Sequence, residues 1–260
     1  MKKSWLWTFL FKKSVNEELF YSMKIIIFNG SPKGERGITY ELLKCFSKGM
    51  LDANAQVEFV TLSKKTIGRC MGCLHCWNTS EGKCVRTDDM TELIKEIESA
   101  DIMVLATPLY FNNVSIELKN FLERLMPLSC KNISLGEGNI YKHDCRIKMP
   151  PIVMFGTCGL PDIQNLDIIS WYGKILSKHW ETEIVGEVLR TQAYIFELKD
   201  ENVQILLRNY KRMLINAGKE LVETKRLSEK TMQYLKHNLV QAELFVNTAN
   251  TIIYGMAEQK

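Results

Sequence analysis

Several features that would assign a function at once are missing from this chain. The net charge is only +4, and lysine and arginine are spread along the sequence instead of gathering among aromatics, so nucleic-acid binding gains no support. No apolar run approaches the roughly 20 residues that a membrane span needs. The run from Trp5 to Phe11 in "MKKSWLWTFLFKKS" is far shorter and has no small-residue cleavage site after it, so neither a span nor a secretory leader is expected, and membrane contact is not expected either. There is no Gly-Lys-Ser/Thr to close a Walker loop and no G-x-G-x-x-G fingerprint. The residue order offers no Ser-His-Asp arrangement, which removes support for hydrolysis. Internal repeats and low-complexity tracts are absent too.

What is present is an ordinary globular composition. The chain has 260 residues, 46% hydrophobic and 25% charged, enough for one large domain or a domain with an appendage. Met23 directly precedes the first convincing strand, so residues 1–22 are expected to form an N-terminal extension outside the fold. From there strand and helix patterns alternate. "KIIIFNG", "AQVEFVTL", "DIMVLATPLY", "PPIVMFGTCG" and "EIVGEVLR" read as five short strands. "TYELLKCFSKGM", "TDDMTELIKEIESA", "SIELKNFLERLM" and "DIISWYGKILSKHW" read as amphipathic helices. Asp89 and Glu92 have capping-box spacing at the start of the second of these. Beyond Lys199 the pattern is helical, with Val203, Leu206, Leu207, Tyr210, Leu214 and Ala217 on one face. A second helix is expected from Ser228, burying Met232, Leu235, Leu239 and Ala242. Strands buried on both faces and joined by helices imply a doubly wound α/β fold with a parallel sheet. Residues 23–198 would form that domain and residues 199–260 a C-terminal helical appendage.

In such folds ligands sit beyond the carboxyl ends of the strands. The loop "GSPKGERGIT" after the first strand combines Ser31, Lys33 and Thr39 with flexible Gly34 and Gly37 at a helix start, a setting that suits phosphate. It also suits an ordinary strand-to-helix turn. The loop "TPLYFNN" after the third strand offers Pro108, Tyr110, Phe111, Asn112 and Asn113 as a platform for a flat polar ring, unless the aromatics pack into the core.

Four of the eight cysteines, Cys70, Cys73, Cys76 and Cys84, fall in "RCMGCLHCWNTSEGKC", residues 69–84. A chain this large needs no disulfide staples, and the spacing is too tight for a bridge framework, so a reducing cytoplasmic setting is expected. Three thiolates in C-x-x-C-x-x-C, with a fourth slightly further on, have the spacing logic of a four-iron cluster. A zinc site, usually built from two separated pairs, and redox-active or vestigial thiols remain the alternatives. His75 reads as a bystander, Asp88 and Asp89 as helix caps, and the other cysteines as small buried hydrophobes, with Cys158 the one to watch in its glycine-flanked loop.

The segments "NGSPKGERGITYELL", "GRCMGC", "GKCVRTDDM", "ADIMVLATPLYFNNVSIELKNFLERL" and "GTCGLPD" together resemble the flavodoxin-like NAD(P)H-dependent FMN reductases over about residues 23 to 190, and the cysteine spacing resembles their iron-sulfur flavoprotein branch. The resemblance implies a five-stranded flavodoxin-like sheet in the order 2-1-3-4-5. It implies an FMN phosphate at Ser31, Lys33, Gly37, Ile38 and Thr39. The isoalloxazine would rest on Pro108, Leu109, Tyr110, Phe111 and Asn112, with Thr157 and Gly159 on the other side. A [4Fe-4S] cluster on Cys70, Cys73, Cys76 and Cys84 would exchange electrons with FMN. NAD(P)H or a protein such as a ferredoxin would donate or accept electrons, and the chain would form a homo-oligomer. No side chain is nominated as a catalytic acid or base. Where relatives usually carry a polar residue this chain has Ile38, which removes one side-chain donor. A cluster-free reductase of flavin, quinones or nitro compounds, a non-enzymatic electron carrier, and a thiol sensor or zinc module are the rival readings.

Overall fold

Alternation along each strand explains the layering. In β1 (Lys24–Asn29), Ile25 and Ile27 face one side of the sheet while Ile26 and Phe28 face the other, and all four are fully buried. The same alternation runs through β2 (Gln56–Thr61) and β3 (Ile102–Pro108), where Val104 and Ala106 oppose Met103 and Leu105. Each fully buried valine, leucine, isoleucine, methionine or phenylalanine among them contributes about 1.5–3 kcal/mol. The computed structural model describes residues 22–198 and 200–258, with the backbone alone from residue 251 on. The expected extension at residues 1–22 therefore falls, Ser22 aside, outside the described residues.

Helix α1 (Ile38–Asp52) follows β1, and the four-residue α2 (His75–Asn78) sits within the cysteine segment. Helices α3 (Met90–Glu98) and α4 (Ile116–Glu123) flank β3. An antiparallel hairpin of β4 (Ser129–Leu135) and β5 (Tyr141–Cys145) comes next, a feature absent from the sequence reading. Then follow β6 (Ile152–Thr157), α5 (Asp167–Trp180), β7 (Ile184–Arg190), α6 (Glu201–Thr224), α7 (Glu229–Lys236) and α8 (Ala242–Glu258). The main sheet is parallel in the order β2-β1-β3-β6-β7, a flavodoxin-like arrangement in which the hairpin is set aside from the expected 2-1-3-4-5.

One face of the sheet is covered by α1, α6 and α7, through residues such as Phe46, Leu214 and Leu235. The other is covered by α3, α4 and α5, through Ile97, Phe121 and Ile169. Helices α1 and α6 cross at glycine: a Cβ on Gly49 would stand 1.8 Å from the Ile215 carbonyl oxygen, and one on Gly218 would stand 2.0 Å from that of Phe46. Leu206, expected on the buried face of α6, is instead 37% exposed, while Leu221 one turn past Ala217 is buried. The single helix expected from Ser228 is two, α7 and α8, separated at His237, whose backbone is extended. Among the described residues no helix is long and apolar enough to cross a membrane.

Candidate functional site

Three loops meet beyond the carboxyl ends of β1, β3 and β6, where the chain turns from β1 toward β2 on one side and β3 on the other. In the first, the buried Asn29 folds the loop back: its Oδ1 accepts the Ser31 N–H at 3.0 Å and its Nδ2 donates to the Gly34 carbonyl at 3.3 Å. The loop packs closely at Gly37, where a Cβ would stand 2.7 Å from Ser31 Oγ and 3.2 Å from Lys33 Cβ. Gly37 is also the N-cap of α1, and no side chain caps that helix, in contrast to the Ser115 cap of α4. The first-turn N–H groups of α1 therefore form a positive backbone pole. Ser31 and Thr39 are buried and Lys33 is exposed, while Ile38 packs its side chain toward the core and leaves only its backbone for a ligand.

The second loop is a tight turn. Tyr110 and Asn113 exchange both backbone hydrogen bonds at 3.1 Å, and Phe111 and Asn112 carry φ of 48° and 58°. Two left-handed residues in succession suit the primed turn type, an unusual conformation for phenylalanine. Tyr110 is 45% exposed and Phe111 wholly so. The alternative in which these aromatics pack into the core is overturned; the turn lifts them out of it. Asn112 is exposed beside them, whereas Pro108 is buried as the last residue of β3 and Leu109 half-buried. Burial, with Glu117 and Tyr194 nearby, pushes the Tyr110 hydroxyl up, so it stays protonated as a donor.

Thr157, at the end of β6, links all three loops. Its Oγ1 lies 2.8 Å from Thr39 Oγ1 and its carbonyl accepts the Leu109 N–H at 2.7 Å, while the Ser115 hydroxyl donates to the Gly30 carbonyl. Gly159 lies against the Tyr194 ring, where a Cβ would stand 2.6 Å from a ring carbon. Cys158 is buried with its sulfur accepting the Leu160 N–H at 3.4 Å, and burial pushes its thiol up, so it is a packing residue rather than a nucleophile.

The cysteine segment forms a second feature. Gly72 and Leu74 take φ of 62° and 55°, bending the chain between successive cysteines. Cys70, Cys73, Cys76 and Cys84 line one open cleft, and His75 does not. Among the described residues no three His, Cys, Asp or Glu side chains come together where a single metal ion could be held. Burial pushes the Cys76 thiol up, and Cys84, Cys73 and Cys70 add to this by their negative charge when ionised. Four cysteines on one cleft offer soft sulfur donors, the donor chemistry that a metal-sulfur group takes. The donor set agrees, because Arg86 Nε and Arg124 Nε are buried without a hydrogen-bond partner, and both residues line the cleft. Such orphaned cationic donors suit an anionic occupant.

Arg86 and Arg124 escaped the sequence reading. Only the apolar setting of Arg124 in "NFLERLM" hinted at a buried cation. The expected cap at Asp89 is corrected as well: α3 begins as expected, but no side chain caps it in capping-box fashion, and the Asp89 carboxylate accepts the Thr66 N–H at 2.7 Å across the loop. Asp88 accepts the Met90 N–H at 3.2 Å, and its main partner is Arg124. The hairpin buttresses this region, with the Trp77 and His143 rings 4.4 Å apart and Trp77 Nε1 donating to the Met126 carbonyl at 3.1 Å. Helix α4, eight residues and so about 12 Å long at roughly 1.5 Å per residue, starts at the second loop and ends at Arg124 in the cleft.

A five-stranded parallel sheet with a glycine-capped helix, an aromatic turn and a cysteine cleft at its carboxyl edge defines a flavodoxin-like protein. The family model for NADPH-dependent FMN reductase matches residues 23–135. An iron-sulfur flavoprotein of Archaeoglobus fulgidus is 36% identical over 182 residues, which cover 70% of this chain and 74% of that protein. Another, of Methanocaldococcus jannaschii, is 37% identical over 106 residues, covering 41% of this chain and 53% of that one, so the chain spans only about half the length of this relative. The solved FMN-dependent NADH-azoreductase from Bacillus anthracis, in complex with FMN, superposes with a TM-score of 0.57 at 18% identity, covering 77% of this chain and 99% of that one. The NAD(P)H:quinone oxidoreductase from Methanothermobacter marburgensis gives 0.56 at 16% identity, with 77% and 97% covered. At those identities the two structures speak to the fold alone. The chain belongs to the NADPH-dependent FMN reductase family, in its iron-sulfur flavoprotein branch.

Proposed function

We propose that the chain is an FMN-dependent oxidoreductase or electron-transfer flavoprotein that also carries a [4Fe-4S] cluster on Cys70, Cys73, Cys76 and Cys84. The observation that carries this reading is the cleft itself: four thiols and two unpartnered arginine donors stand one short helix from the three-loop site. When bound, FMN supplies hydride and electron chemistry and a cluster supplies single-electron exchange. The residues of the chain bind and orient. The first turn of α1, with Ser31, Lys33, Gly37 and the Ile38 and Thr39 backbone, is the seat for the phosphate. Pro108, Leu109, Tyr110, Phe111 and Asn112 form the platform for the ring, with Thr157 and Gly159 closing the other side. The Tyr110 hydroxyl is a protonated donor at the rim of that platform. NAD(P)H or a protein such as a ferredoxin is the electron partner, and the chain assembles as a homo-oligomer, a point that a monomeric sedimentation profile at micromolar concentration would remove.

The test is anaerobic purification from flavin-replete, iron-replete cells. The expected product is yellow-brown and holds FMN together with matched iron and acid-labile sulfide. Substituting Cys73→Ala or Cys84→Ser should abolish the iron and spare the flavin. Bright yellow, iron-free wild-type protein would remove the cluster and keep the flavin. Colourless protein that fails to quench added FMN fluorescence would remove both.

A further inference from the structure

Arg124, at the end of α4, is buried and held by several hydrogen bonds at once. Its side chain is 1% exposed. Nη1 donates to Asp88 Oδ2 and to the Gly68 carbonyl, both at 2.6 Å, and Nη2 donates to Asp88 Oδ1 at 3.0 Å. Asp88 is held in turn by the Gly68 N–H at 3.0 Å and the Met90 N–H at 3.2 Å. Nη2 also reaches Cys84 Sγ at 3.6 Å, and the backbone N–H of Arg86 approaches the same sulfur at 3.5 Å. A buried ion pair adds little net stability, because desolvation offsets the attraction. Stability alone therefore does not explain why one N–H of this guanidinium is aimed at a thiol while Nε lacks any partner. A negatively charged occupant of the cleft, with Cys84 among its ligands, explains both.

We propose that Arg124, held by Asp88, is a positioning residue that fixes Cys84 and raises the electron affinity of the metal-sulfur group in the cleft. The proposal rests on the cluster reading above. N–H donors to a ligating sulfur, and positive charge in a dry setting, both favour the more negative, reduced state of such a group. Cys84 receives two such donors. Asp88 keeps the guanidinium in register; its Oδ1 shares Nη2 with Cys84 Sγ, so the carboxylate offsets much of the guanidinium's charge and the effect on the sulfur comes from the directed N–H donors.

The experiment compares wild type, Arg124→Met and Arg124→Lys, each loaded anaerobically with iron and sulfide. Metal content, the midpoint potential by spectroelectrochemical titration, and thermal melting of the cluster-free chains are read for all three. Arg124→Met is expected to load and to show an equilibrium constant for one-electron reduction at least tenfold lower, a potential drop of about 59 mV. Arg124→Lys, which keeps the charge and loses the fork, should fall between. A folded variant that fails to take up iron supports the fixing of Cys84. A wild-type potential in a loaded Arg124→Met, or loss of cooperative melting in both variants, overturns the proposal. Wild-type protein without iron would remove the cluster reading and the proposal together, whereas loaded wild type beside an unmoved variant potential removes the proposal alone.

Discussion

At the scale of single residues, the Asp88–Arg124 pair is where electrostatics and structure meet. Burial opposes ionisation of Asp88, but hydrogen bonds from the Arg124 guanidinium and from the Gly68 and Met90 N–H groups outweigh it and hold the carboxyl below its ordinary range. A carboxyl depressed in the folded state adds stability above its unfolded pKa, about 3.9, and loses it as pH falls through the folded value. Asp88→Asn leaves the Arg124 charge buried and unpaired, and should cost about 3–5 kcal/mol at neutral pH. Urea melts of the cluster-free chains should show the gap between wild type and variant narrowing once pH drops below about 4. A gap independent of pH would mean that the pair acts only by shape. The cysteines of this cleft are legible in the sequence because their ligand spacing is local. Arg124 is not, since its contact with Cys84 spans 40 positions and depends on where α4 ends. The flavin loops are legible as loops, but the exposure of Phe111 is not, because only the backbone turn decides whether an aromatic points inward or outward.

At the scale of elements, the crossing of α1 and α6 sets how the C-terminal helices attach. Replacing Gly49 by alanine should raise intrinsic helix stability by roughly 1 kcal/mol. The same methyl group would meet the Ile215 carbonyl at 1.8 Å, a contact that only separation of the two helices relieves. Overpacking of this kind costs about 1–3 kcal/mol and sometimes more, so Gly49→Ala is expected to be net destabilising by guanidinium denaturation. A more stable variant would show that the helices have slack. β1, β3 and β6 are readable because each buries both faces in a short apolar run, while β2 is half-buried and shows instead an apolar alternation through Val57 and Phe59. The hairpin is not, because "SCKNISL" and "YKHDC" carry no apolar alternation and leave most side chains half-exposed or exposed. The break between α7 and α8 is hidden for a different reason. The buried Gln192 accepts the Leu239 N–H at 2.8 Å and donates to the Val240 carbonyl at 2.8 Å, holding the linker extended from a strand end 47 and 48 positions away. No local pattern encodes that competition.

At the scale of the whole molecule, the sheet order brings three loops from distant parts of the chain to one edge, and Thr157 ties them with bonds to Thr39 and Leu109. A ligand that touches all three should stabilise the molecule as a unit. At a concentration one hundred times its dissociation constant, a ligand binding only the folded state adds about 2.7 kcal/mol. Of the helices that begin at these loops, α1 follows a glycine N-cap without side-chain capping, whereas α4 has Ser115 to satisfy the Leu118 N–H at 3.3 Å. Phosphate at α1 would complete a helix end left open by the sequence, and a flavin without phosphate would leave it open. Titration of the cluster-free chain should therefore raise the melting temperature more with FMN than with riboflavin at matched concentrations, and the excess should shrink with added salt as screening weakens the helix pole. Equal stabilisation by the two flavins would place the phosphate elsewhere and detach α1 from the site, even if the ring still bound between Tyr110 and Gly159.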